Sequence, residues 1–322
     1  MAQKVGVGLS LALLSSACFA TSGSFARTLT EAGWTSGAAV AARIGLAALM
    51  LAVPALIALR GRRGVLRRNL GTISGYGLIA VAGGQVFFFN AVQTLSIGVA
   101  LLLEYLGLVL VVGWMWLRHG QKPRRLTAIG SLVAIVGLIF VLDLTGGARL
   151  NWTGVLWGLA GAVALATYFV MSSHNDSELP PVAFASAGMT IGTVTLVGLG
   201  ALGWLPIRAT FGSVAFSGFH TSWLVPVLGL SFIAAAVAYV AGIAGARRLG
   251  ARLASFLGLT EVAFAVLFAW ILLGELPTWT QLAGGVLIIG GVALVRLGER
   301  PAPAPVEPEA EKRQRELVMS QA

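Results

Sequence analysis

The sequence predicts an all-α polytopic membrane protein whose ten transmembrane helices form two inverted five-helix repeats. Three observations predict it. Of 322 residues, 57% are hydrophobic and 11% charged, whereas a water-soluble chain carries about a quarter of its residues as Asp, Glu, Lys and Arg. Apolar runs of about 20 residues, enough to cross a bilayer, recur ten times along the chain. The chain also matches itself when slid by 154 positions.

The apolar runs fall at 5–26, 35–59, 70–92, 95–117, 124–144, 152–172, 181–205, 222–246, 251–273 and 278–297. Met1 to Lys4 places one positive charge before the first run. That run is long enough to span, so it is expected to be a retained helix rather than a cleaved signal. Only Gln93 and Thr94 separate the third run from the fourth, which makes those two helices antiparallel neighbours. The stretch 299–322, Pro-rich and charged from Pro301 to Arg315, cannot bury enough apolar surface to order itself and is expected to be a disordered tail.

Basic residues set the orientation. Eighteen of the 22 Lys and Arg fall at Lys4, in the connections after the second, fourth and eighth runs, and in the tail. Three (Arg27, Arg149 and Arg208) fall on the opposite side, and Arg43 lies inside the second run. Excess Lys and Arg mark cytoplasmic loops, so both termini are expected in the cytoplasm. The same scatter through short loops argues against nucleic acid as the partner of a chain with formal charge +10, because no single solvated face collects the charge. Cys18 is the only cysteine, which excludes a disulfide framework and a cysteine metal site.

At the 154-residue offset Trp116 meets Trp270, Gly120 meets Gly274, Pro123 meets Pro277, Gly130 meets Gly284, and Gly137 meets Gly291. The second and seventh runs match at Ile44-Gly45 and Ile191-Gly192. The repeats are placed at 1–147 and 148–298, with five helices each. Because five is odd, the second copy enters the membrane from the other side, related to the first by a pseudo-two-fold axis in the membrane plane. A carrier can use that symmetry, since exchanging the conformations of its halves turns inward-open into outward-open. A non-transporting scaffold or sensor has no such need.

Two carboxylates sit near the middle of matched spans, Glu104 in the fourth and Glu261 in the ninth. A charge at that depth is expensive and points to a substrate or ion pathway. Gly107 follows Glu104 by three residues and Gly258 precedes Glu261 by three, so each helix shows one carboxylate and one bare backbone patch on a shared face. Arg43 lies at a depth of about 12 Å at 1.5 Å rise per residue, and an unpaired Arg there is costly. A buried Arg43–Glu104 pair is therefore expected, either as a clamp between helices or as part of the site. Glu261 has no basic residue at its depth in the sequence, which leaves it free to hold a proton or an ammonium group. Gln85, Phe89, Tyr168, Tyr239 and Thr21 complete the candidate substrate or proton site. Tyr and Gln equally well bond helix to helix, and the hydroxyls of Thr21, Ser15, Ser16 and Ser22 commonly bond back to their own helix.

No catalytic or metal-binding set appears. His119, His174 and His220 all fall in predicted connections, no phosphate-binding glycine loop is present, and no cofactor is implied. Glycines seven apart in the fifth and tenth runs mark close helix contact, either within one chain or across a homodimer.

The stretch from Leu259 through Glu261, Trp270, Gly274, Glu275 and Pro277 to Gly285 resembles the second repeat of EamA-type carriers in the drug/metabolite transporter superfamily. The stretch from Ala100 through Glu104 to Gly107 is most similar to the branch holding the bacterial threonine/homoserine exporters. Leu108 and Val262 stand where that branch usually shows proline. The resemblance implies a bacterial inner-membrane exporter of amino acids or related metabolites, with a central cavity lined by the first, third, fourth, sixth, eighth and ninth spans, and coupling to protons or another gradient. The function expected is thus secondary export of a small molecule by alternating access. Export of small lipophilic cations is the alternative, for which the carboxylates and Trp114, Phe88 and Phe89 would suit.

Overall fold

The computed structural model describes residues 2–60, 63–95, 97–120, 122–141, 151–174, 179–216, 219–274 and 276–298. Among these, nine helices are long and apolar enough to cross a membrane: Val5–Glu31, Ser36–Ala58, Leu70–Val92, Val99–His119, Trp152–Ser173, Pro181–Ala201, Leu224–Leu249, Ala251–Ile271 and Trp279–Gly298. A shorter apolar helix, Arg125–Val141, takes the place of the fifth span. The order follows the ten apolar runs. The expected tail and the junction between the repeats, residue 147, lie outside the described residues.

Two local departures have plain causes. The first helix continues to Glu31, five residues past its apolar run, with Arg27 Nε donating to Glu31 Oε1 at 2.9 Å one turn on. The connection before the eighth span holds a hairpin, β1 (Ser213–Phe216) and β2 (Phe219–Ser222), paired antiparallel from Ser213–Ser222 to Phe216–Phe219. Two four-residue strands carry too little alternation to show in the sequence. The segment before them is tied to the first connection: Trp34 Nε1 donates to the Thr210 carbonyl at 2.7 Å and Thr35 Oγ1 to that of Pro206 at 2.7 Å.

The strongest helix contacts recur under exchange of the two halves. The first span packs on the eighth and ninth, as the sixth packs on the third and fourth. The second packs on the eighth, as the seventh packs on the third, while second with seventh and fifth with tenth pair directly. The fifth–tenth contact shows the physical basis. A Cβ at Gly130 would lie 2.6 Å from the Gly291 carbonyl oxygen, and one at Gly137 would lie 2.7 Å from that of Gly284. Only glycine permits this backbone approach. The two contacts are images of each other at the 154-residue offset, and they settle within one chain the contact that the glycine spacing left open.

Backbone irregularities recur in the same way. The third span is π-helical over Tyr76–Gly83 and the eighth over Gly229–Val237. The fourth span is interrupted at Leu106 (φ −59°, ψ −15°) and the ninth at Leu259 (φ −59°, ψ −24°). At each interruption the chain tightens into i→i−3 bonds: Leu106 N–H to Leu103 O at 3.1 Å and Leu259 N–H to Phe256 O at 3.1 Å. Gly120 and Gly274 then end those spans in the left-handed region, φ 64° and 72°, where a side chain would be strained.

Candidate functional site

The breaks and π stretches place their neighbours around one hollow. A cavity of about 170 Å³ is lined by Glu104 and Tyr105 of the fourth span, Glu261 and Gly258 of the ninth, Gln85 of the third, Arg43 of the second, and Tyr168 and Tyr239 of the sixth and eighth. All six helices expected to line it do so, and the second joins them through Arg43. The swapped Glu and Gly of the matched spans have a packing reason. Gly107 brings the fourth span against the Ala162 carbonyl, and Gly258 makes room for the Phe169 ring, so each carboxylate sits beside a close helix crossing.

Arg43 is 9% exposed. Its Nη2 donates to the Ala234 carbonyl at 2.6 Å, in the π stretch of the eighth span, and its Cζ lies 5.7 Å from the centre of the Phe19 ring. The expected Arg43–Glu104 pair does not form: no nitrogen of Arg43 comes within 4.0 Å of that carboxylate. Glu104 and Glu261 both line the cavity that Arg43 reaches, and Arg43 forms an ion pair with neither. The depth count placed Arg43 at the level of Glu104 but could not say which way around the bundle its side chain turns. Glu104 has no basic or hydrogen-bonding partner among the described residues, and neither has Glu261.

An aromatic floor closes the hollow. Tyr239 stands edge-on to Phe19 at 5.0 Å and to Tyr168 at 5.6 Å, and Tyr168 is edge-on to Phe169 at 5.0 Å. Above the floor the hollow continues into a wider space of about 780 Å³, which reaches Thr30, Ser36 and Gln281 at the end of the bundle opposite the basic connections. At the basic end the first and eighth spans pack closely, with Gly8 against Leu249 and Gly245 against Ala12.

Of the other sequence candidates, Phe89 lines the wider space rather than the inner cavity. Thr21 lines neither, because its Oγ1 donates to the Cys18 carbonyl at 2.7 Å within its own helix. Ser15 and Ser16, expected to bond back locally, instead tie the first span to others, through Ala238 O at 2.8 Å and Leu257 O at 3.1 Å. Phe19, which supports Arg43, was missed, since one Phe in an apolar run carries no signal of its own.

The sequence pattern of the EamA-like transporter family matches this chain twice, over residues 6–143 and 152–297. A protein of Archaeoglobus fulgidus named an uncharacterized transporter is 28% identical over 227 residues, covering 70% of this chain and 76% of that protein. An uncharacterized inner membrane transporter of Salmonella typhimurium is 24% identical, over 70% of this chain and 72% of its own. The threonine/homoserine exporter RhtA of Escherichia coli K12 is 26% identical over 69% of this chain and 68% of its own. A crystal structure shares the fold, with a TM-score of 0.72 and 21% identity over 92% of this chain and 99% of that one.

Proposed function

We propose that this chain, which belongs to the EamA-like transporter family, exports small zwitterionic metabolites, amino acids of the threonine or homoserine kind, across the bacterial inner membrane. One observation carries the substrate class: a single guanidinium and two carboxylates line one cavity of about 170 Å³. Arg43, fixed by Phe19 and by the Ala234 carbonyl, takes the substrate carboxylate. Glu104, without a cation of its own, takes the ammonium group or, between cargoes, a proton. Glu261 balances Arg43. The name of the Escherichia coli relative supports the same class.

Positive-inside placement puts the basic end, and with it both termini, in the cytoplasm. The conformation described is then outward-open. The halves 1–147 and 148–298 act as inverted repeats, and exchange of their conformations gives the inward-open state. The partners are the small-molecule cargo, protons and the bilayer.

The test is a panel of labelled amino acids in everted vesicles. Uptake of threonine or homoserine, competed by unlabelled amino acid and not by a lipophilic cationic dye, is the expected result. Transport of the dye with no amino-acid competition would move the assignment to the cation exporters.

A further inference from the structure

Among the described residues, four buried side-chain polar atoms without a hydrogen-bond partner follow one line: Tyr168 Oη, Tyr76 Oη, Ser172 Oγ and Arg247 Nε. Tyr168 forms the cavity floor. Its ring stacks on Tyr76 at 6.1 Å, Tyr76 meets Phe184 at 4.5 Å, and the Arg247 guanidinium lies 5.9 Å from the centre of the Phe184 ring. Ser172 lies one helical turn below Tyr168 and is 0% exposed. The row runs from the cavity toward the basic end, where Arg247 Nη1 donates to the Leu179 carbonyl. Buried polar groups are almost always partnered, and leaving one without a partner costs about 1–3 kcal/mol. Four together are costly in a route that stays shut, and they gain water when it opens.

The exchange of halves points to the same line. The open path at the far end passes among the first to fifth and the eighth to tenth spans. Its image passes among the sixth to tenth and the third to fifth, which include the helices of Tyr76, Tyr168, Ser172, Phe184 and Arg247. We infer that Tyr76, Ser172 and Arg247 line the inner half of the translocation path, and that Arg247 is a second, loading site for the carboxylate of the cargo. The assignment of a carboxylate rests on the amino-acid reading above; the route does not.

The route is tested without any substrate. In a chain carrying Cys18→Ala, Ser172→Cys is expected to react from the cytoplasmic face with a membrane-impermeant methanethiosulfonate, as is Leu179→Cys at the mouth. Ala47→Cys, equally buried but off the path, is expected not to react. If neither Ser172→Cys nor Leu179→Cys reacts in chains that remain folded, the route is wrong, whatever the cargo proves to be. The loading site is tested by threonine uptake into everted vesicles. Arg247→Gln is expected to raise KM about tenfold, or about 1.4 kcal/mol, with kcat kept, and Arg247→Lys to restore most of it. An unchanged KM, or a fall in kcat alone, overturns the loading site.

Discussion

In the fourth span Glu104 lies just before the interruption at Leu106; in the ninth, Glu261 lies just after the interruption at Leu259. The backbone devices of the two spans agree closely: similar angles at the break, the same tightened hydrogen bonds, the same left-handed glycine at the end. The charges around them do not agree. Arg43 reaches the hollow from the second span, while its match in the seventh, Thr190, donates its hydroxyl to the Ser186 carbonyl at 2.8 Å within its own helix. On the function proposed above, duplication preserved what the two halves need in order to exchange conformations, and recognition rests on one cation, in one half, held by a carbonyl of the other.

Substitutions can break that comparison in order of effect. Gly137→Val and Gly291→Val each drive a side chain into backbone at about the same separation, 2.7 Å and 2.6 Å for the Cβ alone. Each is expected to cost about 3 kcal/mol, read as equal losses of thermal stability in detergent, and clearly unequal losses would break the equivalence. Arg43→Gln removes the guanidinium that lines the cavity and is expected to weaken cargo binding by about 2 kcal/mol, or about thirtyfold in KM. Adding Thr190→Arg should not restore transport, because the asymmetry is the recognition; a restored rate would show that the cation serves either half. Ser15→Ala removes the tie to the Ala238 carbonyl and is expected to cost about 1 kcal/mol, measured by the same melting. Thr21→Ala should stay within about 0.5 kcal/mol with transport unchanged.

The helix order was legible because twenty apolar residues in a row admit few alternatives, and the repeat because Trp, Pro and Gly at fixed offsets survive where other residues drift. Glu104, Glu261, Arg43, Gln85, Tyr168 and Tyr239 could be chosen as candidates because polar groups at that depth are rare. Their pairing was not legible. Depth follows from counting residues, but the direction of a side chain around a bundle depends on which helices touch, so the expected Arg43–Glu104 pair does not form and Arg43 bonds the Ala234 carbonyl instead. The π stretches and the breaks left no mark either, since neither contains proline. The hairpin at 213–222 was too short to alternate, and Ser15 and Ser16 looked like any helical serines until the eighth and ninth spans came against them.

The most direct test of the account is efflux of labelled threonine from proteoliposomes carrying the wild type, Glu104→Gln or Glu261→Gln, each normalised to monodisperse folded protein. Both substitutions are predicted to abolish efflux while folded yield stays at the wild-type level. Wild-type efflux from either variant, or activity that falls only in step with yield, would contradict the claim that transport needs both matched carboxylates facing one hollow.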